Sequence, residues 1–408
     1  MLVSGACGVM KVMTTVPVAL AASVAMLASS NLFAQTTRTE EVEQEKAAKA
    51  AQVASPVTSP DDSLFGRVAS LFMPAPPALE LSFGGFRPGA GLAPGVAYVM
   101  PVGPDALWTT KAAWSVLNFK LAESTLAFPR LAANRLDIHA RVRWENAPQL
   151  AFFGLGAATT RGDEAVYGLR SSEARAGADM RLVRWLRFGG ALGYLAVTSD
   201  DGSGTLPSVG GLFTTASAPG LGSNPSWLHS TAYIGVDTRE SPGYTQSGGL
   251  YRIAFHDYAD RDGRFSFERT EIDLRQFVPL VHDNWIVAMQ ARANLADSRD
   301  DQVIPYFMLP SVGGGDSLRG FSQYRFTDRN TVQLRGELRW TPSSVLDMAL
   351  FTDRGAVAPR WQGLDLHDLK TAWGIGARLH GANFTALRVE VARGDEGWRY
   401  HIAQSVSF

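Results

Sequence analysis

Cysteine is almost missing from this chain of 408 residues: Cys7 is the only one. A disulfide framework is thereby excluded, and Cys7, lying ahead of the first apolar run, is a poor candidate for a metal ligand or a nucleophile. It also lacks the preceding apolar run of a lipoprotein signal. Excess charge is missing too. At a net charge of -1 there is no basic stripe of the kind nucleic-acid partners require. Beyond Ala34 no apolar run approaches the ~20 residues that a spanning helix needs, so helical membrane spans are not expected. The 7 histidines, His139, His229, His256, His282, His367, His380 and His401, are scattered, with no pair at metal spacing on one element. No Gly-x-Ser-x-Gly elbow is present. Gly313-Gly314-Gly315 is not followed by Gly-Lys-Ser and is no phosphate loop. Asp257 to Gly263 has the composition of a calcium loop but is too short and lacks the late glutamate, so it reads as a charged hairpin tip. No metal, cofactor or catalytic group is expected, and the chain is not expected to be an enzyme.

Glycine is abundant at 40 residues, and aromatics stand at 10%; both suit turns and strands. Residues 1–34 read as an export signal. Lys11 gives the positive start, Val16 to Leu27 is an alanine-rich apolar run, and Leu32-Phe33-Ala34 ends in the small residue that cleavage favours. Met10 is an alternative start, and the run falls short of the ~20 residues of an anchor. Over 35–78 the character changes. Glu40 to Lys46 and the alanines after it favour a loose helix, Pro56 and Pro60 break it, and Pro74, Pro76 and Pro77 close it. At about 44 residues this arm is too small for a sizeable domain and is expected to be a largely disordered periplasmic linker.

From Leu79 to Phe408 the pattern has period two. Arg269, Glu271, Asp273 and Arg275 alternate with Thr270, Ile272, Leu274 and Gln276, and Val332, Leu334, Leu338 and Trp340 oppose Gln333, Arg335, Glu337 and Arg339. Strands are read at 79–86, 91–101, 107–116, 117–127, 134–145, 164–180, 184–198, 227–237, 248–258, 264–277, 285–296, 331–341, 345–354, 371–380, 384–393 and 398–408. A soluble sandwich also alternates. Three features favour a membrane barrel instead. The strands run to about 9 to 14 residues against a usual five or six. Trp285, Trp340, Trp398, Tyr400 and Phe408 cluster near strand ends, where a lipid-boundary girdle belongs. Connections after even strands are mostly short, and the long ones, Ser199 to Ser226, Asp297 to Asn330 and Gly355 to Lys370, follow odd strands, as in outer-membrane barrels. Backbone groups in hydrocarbon must all pair, which a sheet achieves by closing on itself. The expected fold is therefore all-β, a transmembrane antiparallel β-barrel of about sixteen strands over 79–408. Pro94, inside the second strand as read, is its one misplaced proline.

The longest connection carries Gly313-Gly314-Gly315-Asp316-Ser317-Leu318-Arg319-Gly320-Phe321. Three glycines allow a sharp bend and close approach to a wall, so this extracellular loop is expected to fold into the lumen. Leu318-Arg319-Gly320-Phe321, Glu337 in the next strand, and Phe351-Thr352-Asp353-Arg354-Gly355 in the one after resemble the barrel of the outer-membrane-protein-85 superfamily, the bacterial surface antigen domain of barrel-assembly and translocation pores. Gly235-Val236-Asp237-Thr238-Arg239, Ser241-Pro242 and Gly248-Gly249-Leu250 resemble another of its stretches, at a periplasmic turn. The resemblance covers Leu79 to Phe408 and is most specific from Asp237 onward. It implies that the tip bearing Arg319, Gly320 and Phe321 enters the lumen, where the arginine meets acidic residues of the inner wall. Period two by itself puts Glu337 on the face of Gln333, Arg335 and Arg339, and Asp353 on that of Asp347, Ala349 and Phe351, so both carboxylates point inward on neighbouring strands. In the final strand Tyr400, Ile402, Val406 and Phe408 share a face, and the aromatic terminus resembles the recognition signal of barrel assembly.

The resemblance implies a bacterial outer-membrane location, and insertion or translocation of protein or lipid there. The implied partners are outer-membrane lipid, the barrel-assembly machinery for the chain's own insertion, and a polypeptide or lipid cargo. Assembly and secretion members carry periplasmic polypeptide-binding modules that the 35–78 arm cannot hold, so the likeness is to a barrel-only member, and capture by strand augmentation is not implied. Gly84-Gly85, Gly89 and Gly91 in the first hairpin are expected to pair poorly and weaken a seam between the first and last strands. Two other functions stay open: a passive solute pore, which needs an unplugged lumen, and a surface structural or adhesion barrel resting on the long loop Ser199 to Ser226.

Overall fold

The structure, a computed structural model, describes residues 79–82, 85–103, 105–280, 284–381, 384–404 and 407–408. The expected signal (1–34) and arm (35–78), and with them Gly84, Val406 and His282, lie outside the described residues.

Sixteen strands form one antiparallel sheet in sequence order: β1 (Leu79–Ser82), β2 (Gly95–Val102), β3 (Ala106–Trp114), β4 (Lys120–Arg130), β5 (Leu136–Phe152), β6 (Ala165–Val183), β7 (Leu186–Asp201), β8 (Ser226–Asp237), β9 (Gly248–Asp260), β10 (Phe267–Pro279), β11 (Trp285–Ser298), β14 (Asn330–Ser343), β15 (Leu346–Ala358), β16 (Lys370–His380), β17 (Thr385–Gly394) and β18 (Gly397–Ala403). Two short strands in the connection before β14, β12 (Ser311–Val312) and β13 (Phe326–Thr327), pair only with each other. This is the transmembrane antiparallel barrel that the alternation predicts. Register decides which face is wet. In β10, β11 and β14 the rungs Asp273↔Arg292 and Arg292↔Gln333 stack polar residues on the inner face. Outward, Val142, Leu192, Ile234, Leu350 and Ile375 stand exposed, where lipid solvates them. The tryptophans mark both rims: Trp285 stacks on Trp340 at 5.9 Å on one, and Trp373 meets Trp398 at 5.8 Å on the other.

Several boundaries differ from the reading of the sequence. β5 runs on to Phe152 past an irregularity between Ala147 and Leu150. β2 starts at Gly95, so Pro94 precedes it, with its carbonyl accepting from the Trp114 N–H at 3.0 Å. Gly85, Gly89 and Gly91 lie in the connection before β2, not in a strand, because that stretch turns inward: Arg87 donates to Glu145 at 2.8 Å and Pro88 O accepts from the Tyr324 hydroxyl at 2.9 Å. The last strand stops at Ala403.

Long connections, 202–225, 299–329 and 359–369, share the extracellular rim. They do not wave free. Phe152, Tyr167, Trp227, Phe267, Ile304 and Tyr306 form an apolar dome beneath them, with Tyr306 hydrogen-bonded to Ser199 at 2.9 Å.

Candidate functional site

The 299–329 connection sends a finger into the barrel. β12 and β13 zip its base through Ser311↔Thr327 and Val312↔Phe326. At the bend, Gly313 (φ 130°) and Gly314 (φ 92°) adopt backbone that side chains rarely allow. At the tip, a Cβ on Gly320 would come within 2.5 Å of the Gly394 nitrogen and 2.7 Å of the Ala372 Cβ, so only glycine lets the finger touch the wall of β16 and β17. Leu318 and Phe321 pack with Val312, Phe326, Val357 and Ala372, an apolar sleeve that fixes the finger's depth.

This packing leaves Arg319 with no exposed surface (0%). Its Nε and Nη2 clasp the two oxygens of Asp353 at 2.7 and 2.6 Å, and its backbone N–H donates to the same carboxylate at 3.1 Å. Nη1 donates to Glu337 at 2.6 Å and to Glu390 at 2.8 Å. The guanidinium carbon lies 3.4 Å from the centre of the Phe351 ring, and the Arg319 carbonyl accepts from His401 Nε2 at 2.7 Å. The fork donates four hydrogen bonds to carboxylates while its face rests on a π surface. Burial opposes the charge, but Glu337, Asp353 and Glu390 outweigh it and raise the guanidinium above its ordinary pKa.

Around this knot lies a layer of wall arginines. Arg339 and Arg378 donate to the other oxygen of Glu337 at 2.9 and 2.7 Å, and Arg335 reaches Asp353 at 3.3 Å. Arg388 lies 3.4 Å from Glu390. Higher up, Arg325 pins the finger to the extracellular rim, donating to Glu396 at 2.6 Å and to Thr159 at 2.8 and 2.7 Å.

Of the residues singled out in the sequence, Arg319, Gly320, Phe321, Glu337 and Asp353 converge here. Glu390, Arg378, Arg388 and His401 were missed. Their signal is only the alternation of Arg388 and Glu390 with Leu387 and Val389 in β17, which by itself does not say that a finger arrives. The periplasmic-turn residues form a separate group. Arg239 grips Asp237 at 2.9 and 3.0 Å, Gly248 has φ 88°, and Gly249 N–H donates to Thr238 at 2.9 Å. Pro242 opens a turn in which the Thr245 hydroxyl donates to Ser241 O at 2.6 Å. That turn lifts Tyr244 inward, where it bonds Asp347 at 3.0 Å and stacks on His380 at 3.8 Å. On β18, Tyr400 and Ile402 face outward at 77% and 75% exposure. Phe408 does not share their face: it is buried inside against Phe277, Ile286 and Ala288. The alternation of Tyr400 to Phe408 continues on paper, but past Ala403 the segment gains a lumenal hydrogen bond from Arg335 and an apolar seat. Among the described residues, no group of His, Cys, Asp or Glu is placed to hold a metal.

The sixteen-stranded sheet, with its arginine-tipped finger clasped by lumenal carboxylates, is similar in fold to solved structures of BamA and CdiB. BamA from Haemophilus ducreyi lacking POTRA domains 1–3 superposes with a TM-score of 0.60 at 12% identity, over 80% of this chain and 69% of that one. CdiB from Acinetobacter baumannii (TM-score 0.50, 12% identity) and CdiB from Escherichia coli (0.50, 15%) align over 79% and 82% of this chain. The chain spans 58% and 64% of the length of those two CdiB structures. At such identities the likeness is one of fold. No protein-family model matches the chain, and no curated protein does.

Proposed function

We propose that the protein is a bacterial outer-membrane barrel that inserts or translocates protein or lipid, its lumen held shut by the Arg319 finger and its wall able to part between β1 and β18. The observation that supports this reading is the place of β1 and β18 at the two ends of the strand order, with no rung between them among the described residues. Among those residues each is hydrogen-bonded to one neighbour only, β1 to β2 and β18 to β17, whereas every other strand of that sheet pairs with two. Opening there would break no rung found among the described residues, whereas opening elsewhere breaks a full ladder.

A passive solute pore fits the interior less well, because the dome and the finger occupy the lumen. In planar bilayers the purified protein is expected to show little steady conductance. Large porin-like conductance would favour the passive pore. The decisive experiment compares outer-membrane and secreted proteins, and outer-leaflet lipid, between cells with and without the protein. A selective loss of inserted or exported cargo is expected; an unchanged inventory would overturn the reading. Outer-membrane lipid and the barrel-assembly machinery are the proposed partners of the chain itself. Tyr400, Ile402, Val406 and Phe408 would be read by that machinery before folding, so deleting Phe408 is expected to impair delivery to the outer membrane. Normal insertion of the truncated chain would count against that signal.

A further inference from the structure

The inner face of β10 and β11 is polar over most of its length, with Arg269, Glu271, Asp273 and Arg275 on one strand and Gln290, Arg292 and Asn294 on the other. Near the periplasmic end it turns apolar at Phe277, Ile286 and Ala288, all essentially without exposed surface. An apolar patch inside a wet lumen is costly unless something covers it. Phe408 does so, its ring 6.1 Å from that of Phe277. The rest of the seat is cationic. Arg335 and Arg339 lie 5.0 and 5.4 Å from the Phe408 ring centre. Arg335 Nη1 donates to Ser407 O at 2.6 Å, while the Ser407 hydroxyl accepts from Arg378 at 3.1 Å and from Arg339 at 3.4 Å. The same Arg335 guanidinium donates upward to the finger, at Gly315 O (3.5 Å) and Asp316 O (3.4 Å).

We infer that Ser407 and Phe408 form a second closure of the lumen, seated from the periplasmic side and riveted through Arg335 to the finger that closes it from outside. One guanidinium serves both segments, so each holds the other's anchor in place: withdrawing the finger strips Arg335 of two acceptors and loosens the Ser407 carbonyl, and the reverse holds by linkage. The inference goes beyond the proposed function, because it holds whichever cargo crosses and whether or not the β1–β18 junction opens.

Two measurements test it. In the first, folded protein lacking Ser407 and Phe408 is placed in planar bilayers. Its opening is expected to rise several-fold over the full chain, and a synthetic peptide of residues 404–408 restores closure while its Phe408→Ala version does not. A folded truncation with unchanged conductance overturns the inference. In the second, carboxypeptidase A acts on the folded full-length chain in detergent, which settles the matter even if the truncation fails to fold. Phenylalanine release is expected to be slow, and about tenfold faster in Arg319→Ala, where the finger is freed and the rivet weakened. Release from the folded chain as fast as from the heat-unfolded one, or equal rates in the variant and the parent, overturns it.

Discussion

Arg319 shows how a single charge is made to belong in a protein interior. Its three carboxylate partners come from β14, β15 and β17, three different strands, and no smaller set would satisfy the fork and the backbone N–H together. Removing one partner of a buried ion pair costs about 3–5 kcal/mol where it has been measured, and here the loss is softened because Glu337, Asp353 and Glu390 keep Arg339, Arg378, Arg335 and Arg388. Arg319→Ala is therefore expected to lower folding yield and heat-modifiable gel mobility, and Arg319→Lys to lower them less, since charge is kept but the fork is lost. Unchanged yield and mobility in the alanine variant would refute the latch. Two of the three acids, Glu337 and Asp353, are legible from alternation alone. Glu390 is not, because nothing in the β17 sequence marks which lumenal acid lies within reach of Arg319, 71 residues earlier at the loop tip.

Among the elements, the finger was readable because its bend and tip rest on glycine, and glycine at such positions is a backbone requirement. Gly320→Leu is expected to drive the tip off β16 and β17, exposing the 313–325 segment to proteolysis in otherwise folded barrels. Protection equal to that of the parent would show that the close contact is dispensable. Strand cores were legible for a different reason: inward polar and outward apolar residues alternate over ten or more positions. Strand ends were not. The reading carried the last strand to Phe408 because period two persists in the letters, whereas the seat at Phe277 and Ile286 is built from strands more than a hundred residues away, and local pattern carries no trace of it. The first hairpin misled in the same way, its glycines serving an inward turn whose partners, Glu145 and Tyr324, lie 58 residues beyond Arg87 and 236 beyond Pro88.

At the scale of the whole molecule, the barrel couples its two rims to its interior. The extracellular turn between β17 and β18, residues 395–396, is the shortest on that rim, and its Glu396 is held by Arg325 of the finger. Arg325 also touches the ring of Phe326 at 4.4 Å, so the grip sits where the finger meets the rim. The closing hairpin of the wall is thus moored, like a boat by its bow line, to the plug inside. Casting off that line by Arg325→Gln is expected to speed amide hydrogen exchange in 394–400 while β5 to β7 stay protected. Uniform exchange across both regions would show that hairpin and plug move independently. If they move together, whatever lifts the finger from above also loosens the β17–β18 edge of the wall, and no separate trigger is needed.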